Sequence, residues 1–325
     1  MSQSATERRA HKSKSTSDKI DTDSRFLRPA FGYYGAKVRL AQKIVGMLPP
    51  HNAWLEAFCG SAAVTLSKAP SPIEVINDSD GEIVNLFRQL RNNSEELCRL
   101  VSLTPYAREE FKQARTAQID ISDMERARRF LVAAMMTVNG TSGSKHSGFS
   151  FSNSYTRSGK EARVSRWYNL PERIALVVER LRSVRVESVD ALKLISGFAD
   201  RPASLLYLDP PYFTDRVHNY KVDAREEAFH SQLLKTVKRA DCMVIMSGYD
   251  SELYRDELTS KSGWRMAKVT TKTRSTDGQD FKRTEVLWMN EQFEDARKTK
   301  TCPIKLTKTE RLEKKVNPLR GRRKK

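Results

Sequence analysis

The chain has 325 residues, enough for one large α/β domain with an insertion or for two modest domains. Its 58 Lys and Arg residues outnumber 40 Asp and Glu residues, and the net charge of +18 favours a polyanionic partner, most commonly nucleic acid. Its longest apolar run, residues 130–138, is too short for a membrane span, and its polar N-terminus does not resemble a signal peptide. Four cysteines without metal-ligand or dense disulfide spacing predict a reduced cytoplasmic protein without a bound metal.

The N-terminal part predicts a disordered arm followed by alternating strands and helices. Residues 1–27 are rich in Ser, Thr, Lys, Arg and Asp and have few apolar side chains that could offset the chain entropy. A helical pattern then follows FGYYGAK and stops at two prolines after Leu48. Period and composition predict strands at 53–58 and 73–78 and helices at 61–69 and 81–91. This βαβα order predicts a parallel sheet flanked by helices.

The alternation is interrupted between residues 94 and 167. Residues 95–138 have a charged, helix-like pattern, and residues 139–166 are rich in Gly, Ser, Asn and basic side chains. The second stretch is long for a loop inside a compact domain, and such loops are usually functional or disordered. We therefore predict an insertion at 94–167 on an α/β core formed by 28–93 and 168–292.

After Leu170 the alternation resumes. The pattern predicts helices at 170–182, 189–197, 224–239 and 252–258, and strands at 184–187, 205–209 and 242–247. Two further strands, 264–272 and 283–289, are predicted to pair in antiparallel fashion at the edge of the sheet. Residues 293–325 form a predicted basic tail, which we expect to bind DNA without sequence preference.

The stretch LLYLDPPYF, residues 205–213, is the strongest chemical signal in the chain. Its apolar part predicts a buried strand that ends in Asp209, two prolines and Tyr212. Because prolines have no N–H, we expect the Asp209 carboxylate and the Pro210 carbonyl to be acceptors that no neighbouring donor occupies. Two such acceptors beside an aromatic face suit a planar heterocycle with an NH2 group. They would return electron density to an amine that is otherwise a poor nucleophile.

This motif resembles the DPPY motif of amino-methyltransferases, in particular the adenine-specific DNA methylases of the Dam type. The resemblance implies a Rossmann-like S-adenosylmethionine (SAM)-dependent methyltransferase sheet. It implies that the methyl group of SAM is transferred to N6 of an adenine flipped out of double-stranded DNA. Asp209, Pro210 and Tyr212 would be the catalytic residues, with the base stacked on the tyrosine.

Four further positions resemble the cofactor-binding positions of this family. Phe58 and Gly60 lie in a turn after the first strand that is similar to the FxGxG turn, with Ala62 in place of its second glycine. Asp78 ends the second strand, where a carboxylate can accept both ribose hydroxyls of an adenosine, although it could instead cap the next helix. Tyr33 is one of the two residues in an aromatic-xxx-Lys pattern typical of the Dam-type enzymes.

The lysine of that pattern is Lys37, which suits the carboxylate of SAM, and Asp209 is also included among the cofactor-binding residues. The inserted region is the natural DNA-recognition element and is predicted to be largely helical. Its predicted DNA contacts are Arg157, Arg163 and Arg166, because arginine binds phosphates and guanine edges.

Two alternative functions stay open from the sequence. Methylation of cytosine N4 would use the same pair of acceptors, and Asp rather than Ser before Pro-Pro-Tyr favours adenine without deciding the question. A DNA-binding protein on a methyltransferase scaffold that has lost turnover is the second alternative.

Overall fold

The computed structural model describes residues 26–33, 37–116, 120–138, 148–153, 156–157, 159–211, 227–248, 250–274 and 280–304. Nearly all of the predicted N-terminal arm and most of the predicted basic tail lie outside these ranges. The described residues form a central seven-stranded sheet with helices on both faces.

The elements alternate along the chain as the pattern predicted. The helices are α1 (Val38–Val45), α2 (Ala63–Ser67), α3 (Gly81–Asn92), α4 (Ser94–Leu103), α5 (Arg108–Arg115), α6 (Asp123–Met135), α7 (Ala162–Tyr168), α8 (Leu170–Leu181), α9 (Ala191–Ala199), α10 (Glu227–Lys238), α11 (Glu252–Glu257) and α12 (Glu291–Thr299). The strands are β1 (Ala53–Glu56), β2 (Ile73–Asn77), β3 (Thr156–Arg157), β4 (Lys160–Glu161), β5 (Val184–Glu187), β6 (Ser204–Leu208), β7 (Met243–Gly248), β8 (Arg265–Arg274) and β9 (Asp280–Met289).

The large sheet has the strand order β5-β2-β1-β6-β7-β9-β8. Its first five strands are parallel, whereas β9 runs antiparallel to β7, and β8 pairs in antiparallel fashion with β9 at the edge. This arrangement confirms the predicted α/β class. The strand order reverses direction at β1, which has β2 on one side and β6 on the other. Ligands of open α/β sheets bind in the crevice that such a reversal opens at the carboxyl ends of the strands.

Successive side chains of each strand point to opposite faces of the sheet. Leu55 and Leu206 contribute to the face that packs on α9, α10 and α11. Their neighbours Trp54 and Tyr207 point to the other face, against α1, α2 and α12. Helices α3, α6 and α8 cover that second face near β2 and β5. Both faces of the central strands are therefore buried, which accounts for their nearly continuous apolar sequences.

The inserted region is part of the core rather than a separate appendage. Leu97 of α4 and Leu131 of α6 are buried in one cluster with residues of α3 and α8. The expected long loop at 139–166 contains, where it is described, the short β3–β4 pair and the start of α7. The buried Trp167 secures α7, because its Nε1–H donates to the carbonyl of Thr104 at 2.8 Å.

The predicted start of the basic tail at residue 293 is wrong. Residues Glu291–Thr299 form α12, and its Phe293 and Ala296 are buried against Ile44 of α1. Apolar residues three positions apart lie on one side of a helix, so two of them suffice to dock it on the sheet. The high charge of the remaining positions concealed this helix in the sequence.

The amino-terminal edge of the sheet holds a buried ion-pair network that has no part in the candidate site. Glu74 of β2 has no exposed side-chain surface and accepts from Lys68 Nζ at 2.6 Å and from Arg180 of α8 at 2.5 and 2.9 Å. Burial alone would raise the pKa of Glu74, but the hydrogen bonds from Arg180 and Lys68 lower it below its usual value. This network ties the C-terminal half of α8 to the start of β2.

We predict that Glu74→Ala lowers the free energy of unfolding by about 3–5 kcal/mol, because it leaves two cations buried without their anion. Glu179→Ala is the matched control, since Glu179 pairs with Arg182 at 3.2 Å on the exposed side of the same region. The control should change stability by less than about 1 kcal/mol. Urea unfolding of both variants measures the difference, and equal losses would contradict a stabilising role for the network.

None of the helices in the described ranges combines the length and the apolar character that crossing a lipid bilayer requires.

Candidate active site

The predicted catalytic and cofactor-binding residues that the structure describes gather at the carboxyl ends of β1, β2 and β6. Glu56 of β1 is in register with Ile76 of β2 and Tyr207 of β6, so the three strands end side by side. The turn that holds Gly60 follows β1, Asp78 follows β2, and Asp209 follows β6. The sheet thus brings together segments that are up to about 150 residues apart in the chain.

The Asp209 carboxylate is held from two sides. Lys37 Nζ lies 2.8 Å from its Oδ2, and the hydroxyl of Ser247 at the end of β7 donates to its Oδ1 at 2.8 Å. The prediction concerned only neighbouring donors, which the prolines exclude, and the donors seen here come from distant parts of the chain. An ionised carboxylate has about four acceptor positions, so the two contacts leave room for a further donor.

Ser247 belongs to a polar relay that the sequence did not reveal. Its side chain is buried and also lies 3.1 Å from the hydroxyl of Tyr207, whose ring stacks on Trp54 at 6.1 Å. The sequence gives the strand around Ser247 no catalytic role, because its residues could equally be part of the core. Its position at the carboxyl end of a strand next to β6 was the one available signal.

We predict that Ser247→Ala lowers kcat by about 10-fold while the fold is retained. A hydrogen bond to a charged group is worth about 1.5–3 kcal/mol, and part of this energy holds Asp209 in its orientation. Tyr207→Phe removes only the distal hydroxyl of the relay and should have a smaller effect. Steady-state kinetics of both variants, with circular dichroism as a check on folding, tests this order. A larger loss in Tyr207→Phe would contradict it.

The turn after β1 places Gly60 against Tyr33. Gly60 has φ of +48°, and a Cβ at this residue would lie 3.0 Å from Cδ1 of the Tyr33 ring. A side chain here would therefore be strained in its backbone and crowded by the ring. Ala62 also has a left-handed conformation, with φ of +54°, which explains why glycine is the commoner residue at that place. Phe58 packs edge-on against Phe229 of α10, with ring centroids 6.1 Å apart.

Asp78 lies directly beside this turn. Its Oδ2 accepts from the Gly60 amide at 2.8 Å, and its Oδ1 accepts from the Asp80 amide at 2.9 Å. Burial raises the pKa of Asp78, while these backbone hydrogen bonds lower it again in part. The helix-capping alternative is wrong, because Asp80 caps α3 by accepting from the Glu82 amide at 2.9 Å.

Buried Glu56 is a third acidic residue of the site, beside Asp209 and Asp78, and the sequence does not single it out. Its Oε2 accepts from the Thr65 amide at 2.9 Å and from the Thr65 hydroxyl. Burial raises its pKa to about 7, and the negative charge of Asp209 adds to the same effect. Glu56 lies inside the predicted strand at 53–58, where the local pattern gives it no distinct role.

His230 of α10 lies beside the Asp-Pro-Pro turn. It is fully buried, its Nδ1 lies 2.8 Å from the hydroxyl of Tyr254, and its ring lies close enough to the backbone of Pro211 to affect its pKa. Burial lowers its pKa to about 4, with the Pro211 contact opposing the shift. A neutral imidazole can serve two such partners at once, one as donor and one as acceptor.

The contributions of buried His230 and buried Glu56 to the free energy of unfolding should change in opposite directions as the pH falls from 7 to 5. His230 binds its proton more weakly in the folded protein, with a pKa of about 4 instead of 6.5, so the stability it confers is lost as the pH falls below 6.5. Glu56 binds its proton more strongly when folded, with a pKa of about 7 instead of 4.5, so its contribution grows as the pH falls below 7. Each change amounts to about 2 kcal/mol.

As the pH falls from 7 to 5, we predict that the stability of His230→Gln rises relative to that of the wild type. Over the same range, the stability of Glu56→Gln should fall relative to that of the wild type. Urea unfolding of the wild type and the two variants at pH 7 and at pH 5 measures how far each variant's stability changes relative to the wild type. Differences of the same sign would show that the two groups do not titrate as their burial implies.

The predicted DNA contacts lie on the inserted region. Arg163 on α7 is exposed, and Arg166 one turn later is half-buried. Arg157 belongs to β3, and its side chain lies outside the described part of the structure, as does Tyr212. The structure therefore places Asp209, Pro210 and the cofactor-binding residues at one edge without describing the predicted stacking residue.

Comparison with known proteins gives matches in sequence and in structure. The model of the D12 class N6 adenine-specific DNA methyltransferase family matches residues 33–274. The Type II methyltransferase M1.LlaDCHI of Lactococcus lactis subsp. cremoris is 31% identical over 198 residues, which cover 57% of this chain and 66% of that protein. The chain thus spans slightly less than two thirds of the length of this relative.

Two solved structures are similar with low TM-scores. Precorrin 8W decarboxylase from Methanobacterium thermoautotrophicum has a TM-score of 0.35 and 8% identity, with 82% of this chain and 96% of that chain covered. A SAM-dependent methyltransferase from Agrobacterium tumefaciens has a TM-score of 0.34 and 9% identity, with 78% of this chain and 60% of that chain covered.

Proposed function

The chain belongs to the D12 class N6 adenine-specific DNA methyltransferase family, and from this premise we propose that it transfers a methyl group from SAM to the N6 amine of adenine in double-stranded DNA. The observation that carries the proposal is the position of the Asp209 carboxylate. It ends a buried strand, keeps acceptor capacity, and lies at the same edge as Gly60 and Asp78. We further propose a cytoplasmic location, where four free cysteines would stay reduced.

The residues at the end of β6 suit the binding of an aromatic amine. The Asp209 carboxylate and the Pro210 carbonyl would each accept one N–H bond of the adenine amine, which favours attack by its nitrogen. Lys37 and Ser247 hold the carboxylate in one orientation, so little reorganisation is needed when the amine arrives. Tyr212 would stack on the flipped base, as the motif implies.

The residues at the ends of β1 and β2 fit SAM. Asp78 uses one position of each carboxylate oxygen for a backbone amide, which leaves acceptors for the two hydroxyls of a ribose. Gly60 has no Cβ, so its backbone can approach a ligand closely, and the Tyr33 ring lies over this turn. The bound cofactor supplies the activated methyl group, and Lys37 lies at the border between its site and Asp209.

We predict that Asp209→Ala lowers the rate of methyl transfer by about 100-fold or more, because it removes an acceptor that acts on the reacting amine. The affinity for SAM in the absence of DNA should stay nearly unchanged. Asp241→Ala is the matched control, since Asp241 is an exposed carboxylate ahead of β7. Near-normal turnover of Asp209→Ala would contradict the assignment of the catalytic centre.

The complementary variant, Asp78→Ala, should weaken SAM binding by more than about 10-fold, because each charge-assisted hydrogen bond to ribose is worth about 1.5–3 kcal/mol. Calorimetry with SAM alone measures the change. An unchanged affinity would leave Asp78 with only its two backbone contacts.

The reaction itself is tested by incubating the protein with labelled SAM and plasmid DNA and then identifying the methylated nucleoside. N6-methyladenine supports the proposal. N4-methylcytosine would select the alternative substrate, and DNA binding without any methylated product would indicate a scaffold that has lost turnover.

A further inference from the structure

Two arginines at the junction of α7 and α8 are largely removed from water, and among the described residues neither forms an ion pair with a carboxylate. Nη2 of Arg173 donates to the carbonyl of Arg166 at 3.3 Å, and Nη2 of Arg166 contacts the sulfur of Met135 at 3.4 Å. Nε of Arg173 is buried and has no hydrogen-bond partner in the described part of the chain. A carbonyl oxygen and a thioether sulfur accept some of the N–H groups of these guanidinium groups, but they supply no full negative charge.

Two further arginines, Arg28 and Arg163, add positive charge near this pair. Burial lowers the pKa of Arg173 to about 10, and the positive charges of Arg166 and Arg28 add to the effect. Burial also lowers the pKa of Arg166, and Arg163 and Arg28 contribute in the same direction. We call these four residues, Arg28, Arg163, Arg166 and Arg173, the arginine pocket. A group of cations that lacks a counterion costs stability in the free protein.

The chain from the middle of α6 to the start of α8 has almost no acid that could neutralise the pocket. Between Arg126 and Pro171 the chain contains one acidic residue, Glu161, whose Oε1 accepts from the Ser152 amide at 2.7 Å. The undescribed residues in this interval, 139–147, 154–155 and 158, include neither Asp nor Glu. This part of the inserted region therefore cannot supply a second carboxylate from its own sequence.

The pocket lies at the same edge of the sheet as the candidate active site. Arg180, near the end of α8, contacts Glu74 at the start of β2, so the last turn of α8 lies at the amino-terminal edge. The first turn of α8, which holds Arg173, therefore lies at the opposite edge, where Asp78 and Asp209 follow their strands. Arg28 is also close in sequence to Tyr33, which covers the Gly60 turn.

We propose that the arginine pocket binds one phosphate of the DNA backbone and so positions the duplex over the active-site edge. This inference rests on the proposed function and adds a defined contact to it. The edge of a base is neutral and would leave the charge of the cluster uncompensated, whereas a phosphodiester supplies a full negative charge. Planar guanidinium groups also match the oxygens of a phosphate in paired hydrogen bonds. Arg166 and Arg163 thus act on the backbone, and sequence reading is left to other residues.

The test compares two double variants of the full chain that lose the same charge. Arg166→Gln/Arg173→Gln removes the buried pair, and Arg182→Gln/Arg185→Gln removes two exposed arginines at the other end of α8 and on β5. Binding of a short DNA duplex is titrated against salt. The pocket variant should lose about 0.9 from the log–log slope, which corresponds to one phosphate, and the control should keep the slope of the wild type.

A second measurement uses inorganic phosphate as the probe. At constant ionic strength, phosphate in place of chloride should raise the Tm of the wild type and of the control, but not that of the pocket variant. Equal salt slopes in the two double variants, or equal phosphate effects on Tm, would overturn the proposal. Weaker SAM binding by the pocket variant in the absence of DNA would also overturn it, because the pocket would then hold the carboxylate of the cofactor.

Neither measurement depends on methyl transfer. A wild-type protein that gives both expected results but yields no methylated nucleoside would refute the proposed reaction and leave the phosphate contact intact.

Discussion

The Asp209 carboxylate needs partners because it ends a strand whose other residues are buried on both faces of the sheet. Its side chain is only 16% exposed, and Lys37, its ion-pair partner, is 7% exposed. A charge in such a place is stable only when other groups hold it. Lys37 precedes α1 and Ser247 ends β7, so the strand order around β6 has to form before Asp209 is held in place. The site is therefore a product of the sheet and does not exist in the DPPY segment alone.

The amino-terminal and carboxyl edges of the sheet hold their buried carboxylates in different ways. At the amino-terminal edge Glu74 is matched by two cations, and its pKa is lowered. At the carboxyl edge burial raises the pKa of Glu56 and Asp78, and most of their contacts come from backbone amides and a hydroxyl. The first arrangement stabilises the fold. The second keeps acceptors available to a ligand at some cost in stability, which is typical of functional sites.

The inserted region packs on the same core that forms the candidate site. Its helices share a hydrophobic cluster with α3 and α8, so its basic residues are set at a fixed distance from the strand ends. Trp167 secures the helix that holds Arg163 and Arg166 through its bond to the Thr104 carbonyl. A rigid connection of this kind suits a protein that has to place a flipped base within reach of a carboxylate, because small errors of position are costly for such chemistry.

Local pattern was sufficient for the alternation of strands and helices, the parallel class of the sheet, the antiparallel edge pair and the importance of the segment around Asp209. These features follow from apolar period and from proline and glycine chemistry, which act over a few residues. Pattern also placed Gly60 and Asp78 after successive parallel strands, whose ends meet at one edge, and the structure shows the two residues in contact. It missed α12, where two apolar residues in a charged segment were enough to dock a helix.

Four features became visible only in the tertiary structure: the partners of Asp209, the burial of Glu56, the position of His230 beside Pro211, and the partly buried surroundings of Arg166 and Arg173. Each depends on residues that are distant in the chain, or on how much water the packed core excludes. A short stretch of sequence determines which donors and acceptors are present and in what order. It does not determine which of them meet, because that follows from strand order, and it does not determine their ionisation, because that follows from burial.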